Sequence, residues 1–174
     1  MANKQAGLTE RLIQVALYND MRSASRIIMP NYTPRGWHEC DVWSVTKAGY
    51  VVEHEIKLSR SDFKADTKKA GGGKHHALSI GSTGAPSRFS FVVADSVEEY
   101  ARKNLPTWAG LKVAHFRDDH WGVRATLKIV VVAPRIHRKI KVRDAEISRA
   151  QVCSYYRLWS LLGVDARSEV NDGR

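Results

Sequence analysis

Cysteine is scarce: the chain of 174 residues has two, Cys40 and Cys153, far apart and without metal-ligand spacing. Too few for a disulfide framework, they read as small buried side chains of a reducing compartment. Long apolar runs are also missing. The longest strongly apolar stretch, Ile129 to Ala133, is far too short to span a bilayer, and MANKQAG at the start lacks the apolar core of a signal peptide. The expectation is a soluble protein without a membrane partner, cytoplasmic in a bacterial cell or a phage-infected host. No internal repeat and no linker stand out. A single domain is therefore expected over 1–164, followed by a loose tail over 165–174.

Acid is the other shortage. Asp and Glu total 18 against 28 Lys and Arg, a net charge of +10 with pI near 9.8. That balance favours polyanionic partners, nucleic acid first and acidic membrane surface second. Hydrophobic residues at 43% and charged residues at 26% are those of a soluble globular protein, so disorder is not the expectation. Two segments, Lys57 to His76 and Pro134 to Arg149, each carry six basic against two acidic residues and together hold 8 of the 10 net charges. The second is either a solvated face or a functional one. The first adjoins the most unusual stretch of the chain.

That stretch is Tyr50 to Ser59, YVVEHEIKLS, read with Glu39 to Trp43, ECDVW. On a strand successive side chains alternate, so Glu53, Glu55 and Lys57 share one face while Val52, His54, Ile56 and Leu58 share the other. Ionisable groups on one face of a β-branched run are costly to pack unless something cationic and wet lies among them. A divalent metal with a phosphodiester meets that need, because Mg²⁺ takes one or two carboxylates plus waters and phosphate oxygens.

The surrounding pattern predicts an α/β domain. Thr9 caps a helix over Glu10 to Asp20 whose apolar stripe runs through Ile13 and Leu17, widened by Leu8, Leu12, Val15 and Ala16. Glu10 then either looks into a site or complements the helix dipole. Strands follow at Arg26 to Tyr32, Trp37 to Val45 and Tyr50 to Leu58, the last two joined by a tight turn at Thr46 to Gly49. A helix starts near Arg60, capped by Ser59 or Ser61, with Phe63 toward the core and Lys64, Lys68 and Lys69 outward. Gly71 to Gly73 ends it and makes a flexible segment, followed by Lys74-His75-His76. The glycines lack the Gly-Lys-Ser/Thr ending of a phosphate loop. Beyond lie a buried strand (Arg88 to Ala94), a short helix capped by Ser96, a strand pair (Leu111 to Phe116 and Val123 to Ala133), and a helix from Asp144 to Leu162. That last helix packs through Ile147, Ala150, Ser154, Leu158 and Leu161 and stops at Gly163. The expected architecture is a mixed sheet flanked by helices.

Asp41 on one strand, with Glu55-Ile56-Lys57 on its hairpin partner and a preceding helix bearing Glu10, resembles the PD-(D/E)XK nuclease superfamily. Ser59-Arg60-Ser61-Asp62-Phe63 with Asp66 and Lys68 is similar to the Ser-x-x-Asp-Phe-x-x-Asp-x-Lys pattern of its MmcB-like DNA-repair branch. Cys40 stands where the superfamily has proline, and the glycine run replaces a compact aromatic segment. The resemblance covers about Glu10 to Ala94. It implies a restriction-endonuclease-like fold and a Mg²⁺- or Mn²⁺-dependent deoxyribonuclease of DNA repair, DNA processing or phage DNA metabolism. Asp41, Glu55 and the Ile56 carbonyl would hold the metal. Asp41, Glu55, Lys57 and Glu10 would form the catalytic set, with Lys57 orienting the water or neutralising transition-state charge.

Arg60, Lys64, Lys68, Lys69, Lys74, His75 and His76 are the candidates for DNA phosphate contacts. Glu53 is either a further ligand or a solvent-facing glutamate, and His75-His76 would need further ligands to hold an ion. Trp43, sharing a face with Asp41, is the tryptophan expected nearest to DNA. A homodimer would suit two-strand cleavage. The alternatives are a nuclease-fold accessory that binds DNA without cutting, and an interaction module whose acidic strand is only a salt-bridge network.

Overall fold

The structure, a computed structural model, describes residues 7–68, 73–120, 122–137 and 140–172. Helix α1 (Glu10–Met21) begins as its sequence dictates, with Thr9 extended and its Oγ1 accepting the Leu12 N–H at 3.3 Å. It buries Ile13 and Leu17; Val15, expected in the stripe, instead stands 53% exposed.

Three antiparallel strands follow: β1 (Ser25–Tyr32), β2 (Cys40–Thr46) and β3 (Val51–Lys57). The β2–β3 turn closes through the Gly49 N–H to the Thr46 carbonyl, with Gly49 at φ 87°, where a side chain would be strained. Pro30 is accommodated because β1 is an edge strand. β2 starts later than the expected Trp37; residues 37–39 form a loop, which frees the Trp37 indole to fold back over β3.

Helices α2 (Arg60–Lys68) and α3 (Lys74–Ser79) then lead into β4 (Arg88–Ala94), which pairs parallel with β3. Ser59 caps α2 by accepting the Asp62 N–H at 3.1 Å. A 3-10 turn (Asp95–Val97) and α4 (Glu98–Lys103) replace the single Ser96-capped helix expected. β5 (Ala109–Asp119) runs parallel to β4, and β6 (Gly122–Val131) antiparallel to β5; both flank a tighter turn than the expected Arg117 to Gly122. The result is one six-stranded mixed sheet in the order β1-β2-β3-β4-β5-β6.

α1 covers one face of the sheet through Ile13, Leu17, Val42, Ile56, Val92 and Ala114. On the other face Phe63 of α2 and Leu78 of α3 pack on Phe89, Phe91, Leu111 and Val113. β4 is buried on both faces, as a central parallel strand should be.

After β6 the chain wraps the lower rim of the sheet as a strap. Gly110 makes that path open: a Cβ there would lie 2.7 Å from Ala133 backbone atoms. The Arg88 guanidinium donates to the Ala133 carbonyl. The Ile136 N–H donates to Ser87, and the Val142 N–H to Gly49, each at 2.9 Å. Helix α5 (Asp144–Asp172) follows, docking Ile147 and Ala150 on Met29, Tyr32 and Trp43. It does not stop at Gly163. A glycine inside a helix costs only about 1 kcal/mol, too little to end one with good helix formers on either side. The expected tail over 165–174 is thus helical to Asp172. Leu158 and Leu161, expected in the packing stripe, are 54% and 55% exposed.

Candidate active site

The β2–β3 ladder is continuous from Val45↔Val51 to Val42↔His54 and then gives way. At that point the Asp41 side chain, not the β2 backbone, accepts the Ile56 N–H, Oδ2 to N at 2.6 Å. The carboxylate is thereby wedged beside Glu55 and Lys57 on β3. Burial first, and the Glu55 charge next, push the Asp41 carboxyl up to about 6, with the Ile56 N–H and Lys57 opposing. Asp41 makes no ion pair among the described residues.

Lys57 is buried, its Nζ 2.9 Å from Glu55 Oε1 and 3.8 Å from both Asp62 Oδ1 and Asp66 Oδ1. Burial would lower its pKa, but Glu55, Asp66 and Asp62 outweigh burial and raise it, so the ammonium stays charged. Asp62 and Asp66 of α2, the helix that Ser59 caps, therefore hold the β3 lysine in place. Asp66 Oδ2 also meets His75 Nε2 at 2.9 Å; burial is overcome by that bond and by Lys57, leaving the carboxyl below its usual range.

Lys74 is the residue whose place the sequence reading misjudged. Expected to reach out toward phosphates, it points inward. Its Nζ lies 2.5 Å from Glu53 Oε1 and 2.6 Å from Glu55 Oε2, and donates to the Glu39 carbonyl at 3.1 Å. The Glu53 pair is an ion pair without hydrogen-bond alignment. Burial alone would lower Lys74, yet Glu53 and Glu55 carry it above the ordinary lysine range. Glu53, fully buried rather than solvent-facing, is raised by desolvation against the pull of Lys74 and of Trp37, whose Nε1–H donates to Oε2 at 2.8 Å.

His75 is likewise buried, packed edge-on to Trp108, not offered to a phosphate. Lys64 and Arg60 are exposed, and Lys69 and the Lys68 side chain lie outside the described residues. Glu10 is exposed at the rim, and Gln14 Nε2 donates to its Oε1 at 3.0 Å, to Asn31 Oδ1 at 2.8 Å and to the Asp41 carbonyl at 3.2 Å. Gln14 went unnoticed in the sequence, although it sits one helical turn after Glu10 on the same face. Trp43, expected near DNA, is 1% exposed and belongs to the core. On the opposite sheet face His54 is neutral, pushed to about 3 by burial.

Asp41 and Glu55 suit a hard divalent cation in donor type and number, because Mg²⁺ completes its shell with water and phosphate oxygens. The charge also fits: Asp41, Glu53, Glu55, Asp62 and Asp66 face two ammonium groups and one imidazole. Among the described residues no three His, Cys, Asp or Glu side chains are grouped as a metal site, and both Glu55 oxygens are held by lysines. A metal on Glu55 would therefore have to displace a lysine from one of its oxygens.

The fold and this cluster define a single α/β domain with a charged, partly buried carboxylate–lysine centre at one strand end. No family model and no curated protein matches the chain. Among solved structures, the SPO1766 protein of unknown function from Silicibacter pomeroyi shares the fold. Its TM-score is 0.61 at 21% identity, over 90% of this chain and 92% of that one. No helix among the described residues is long and apolar enough to cross a membrane.

Proposed function

We propose that this protein is a Mg²⁺- or Mn²⁺-dependent nuclease that hydrolyses phosphodiester bonds in DNA. The observation that carries the reading is Asp41: a carboxylate wedged between two separating strands, beside Glu55, with no ion-pair partner among the described residues. Asp41 and Glu55 would hold the metal, which when bound would polarise a phosphate and acidify a water. Lys57, kept charged by Glu55, Asp66 and Asp62, would orient that water or neutralise charge growing on the phosphate oxygens. Arg60 and Lys64, exposed on α2, would supply sequence-independent phosphate contacts. DNA repair or processing and phage DNA metabolism are the settings that suit such an activity. A second copy would dock along α5, where exposed Val152, Tyr155, Trp159 and Leu162 recur at heptad spacing.

The test is cleavage of labelled single-stranded, duplex and forked DNA with Mg²⁺, Mn²⁺ or EDTA, comparing wild type with Asp41→Ala and Lys57→Ala. Metal-dependent cutting by wild type alone, with binding retained in both variants, is the expected result. Equal cutting by Asp41→Ala would sink the assignment. One observation favours a second reading, a nuclease-fold protein that binds without cutting: Lys74 already neutralises Glu53 and Glu55. Salt-sensitive binding with no cleavage under any metal would select it.

A further inference from the structure

The second basic segment, Pro134 to Arg149, plays no part in the carboxylate centre, yet the strap places it with purpose. It closes a cavity of about 290 Å³ against β2 and β3, near the roughly 300 Å³ at which small-ligand pockets begin. Trp37 and the buried Trp43 wall this cavity, and Arg35, Lys141 and Arg143 line it with positive charge. The Lys141 ammonium and the Arg135 guanidinium also lie 5.6 Å and 5.4 Å from the centre of the Tyr50 ring, extending the cationic, aromatic surface. Its one carboxylate, Glu146, is engaged by the Tyr32 hydroxyl at 2.6 Å and by Arg149 at 3.1 Å.

Trp37 joins this cavity to the carboxylate centre. Its ring lines the cavity while its Nε1–H holds Glu53, the immediate neighbour of Lys74. An aromatic wall beneath a cluster of cations is the chemistry that takes an unpaired base and its phosphate together, since every base has a face to stack and every backbone a charge to neutralise. A base still stacked and paired in a duplex cannot enter a concave site between loops.

We propose that this cavity is a nucleobase subsite, and that the substrate is therefore single-stranded DNA or an unpaired strand end. The base stacks on Trp37 and its phosphate is met by Arg35, Lys141 and Arg143. This rests on the nucleic-acid reading of the neighbouring centre and narrows it to a strandedness.

The experiment is fluorescence anisotropy in EDTA with three labelled probes: an oligothymidylate of about twelve nucleotides, the same backbone made abasic, and a blunt hairpin duplex. Wild type should bind the oligothymidylate at least tenfold more tightly than the abasic strand. Thr83→Trp, which adds bulk at an exposed position on the cavity wall, should erase that preference and leave duplex binding unchanged. Lys141→Ala with Arg143→Ala, both at exposed positions, should weaken single-strand binding about tenfold and flatten its salt dependence by about two phosphate contacts. Equal affinity for the base-bearing and abasic strands, or an intact preference in both variants, overturns the subsite. No binding of any probe overturns it together with the nuclease reading. Metal-dependent cleavage without base preference removes the subsite alone, and base preference without cleavage retains it while removing the hydrolase.

Discussion

Replacing Asp41 by Asn should make the metal-free protein more stable at alkaline pH. Asn is nearly isosteric, and its Oδ1 can still accept the Ile56 N–H that Asp41 Oδ2 accepts at 2.6 Å. What it removes is a charge held beside Glu55 and withdrawn from water. The carboxyl rises from 3.8 to about 6 on folding, and each unit corresponds to about 1.4 kcal/mol. The full shift is worth about 3 kcal/mol, and because the group is only half-buried, screening reduces this to about 1–2 kcal/mol. The sign follows from proton binding. Between about pH 4 and 6 the folded protein holds the Asp41 proton more tightly than the unfolded chain does, so this group costs stability as pH rises through that window. Above pH 6 the cost is fully present; below pH 4 both states are neutral. In EDTA at pH 8, Asp41→Asn should therefore melt roughly 2–8 °C higher than wild type for a protein of this size. That gap should close as the pH approaches 4. A variant no more stable than wild type at pH 8, or a gap indifferent to pH, would refute the account of Asp41 as an uncompensated carboxylate.

Lys74→Ala should be destabilised by about 3 kcal/mol or more in urea unfolding, because it strips the cation from fully buried Glu53. Adding Glu53→Gln, which keeps an acceptor for the Trp37 N–H, should restore much of that loss; purely additive effects would show the two residues to be uncoupled. Light scattering should report a dimer for the full chain and a monomer for Trp159→Glu; a wild-type monomer at all concentrations would exclude the α5 seam.

What could be read from the sequence follows from how local each signal is. Alternation on β3 correctly grouped Glu53, Glu55 and Lys57, and Thr9 and Ser59 marked their helix starts, because these rest on neighbours within a turn or a strand. Lys74 and His75 were misplaced outward for the opposite reason: their partners, Glu53, Glu55 and Asp66, are distant in sequence, and charge composition alone favours solvent. Trp43 was assigned to the Asp41 face, but its burial depends on α5, more than a hundred residues on. Gly163 was read as a stop although a lone glycine marks a helix end only when capping geometry accompanies it. The sheet class survived all of this because periodicity sets the layers, and layers set the fold.

The described parts of the strap, 132–137 and 140–143, are fastened mainly through main-chain atoms, with the His137 ring against the Ala85 carbonyl as a side-chain addition. Main-chain atoms of Ile136, His137 and Val142 are bonded to Ser87 and Gly49, and Gly110 leaves the space through which the strand arrives. The path of the strap is thus insensitive to the identity of residues 135, 141 and 143. Those positions can exchange charge, length and aromaticity without unfastening the segment, while Gly110 cannot gain even a methyl group without a clash. The residues whose main chain holds the segment, 136, 137 and 142, thus alternate with those whose side chains take no part in the fastening, 135, 141 and 143.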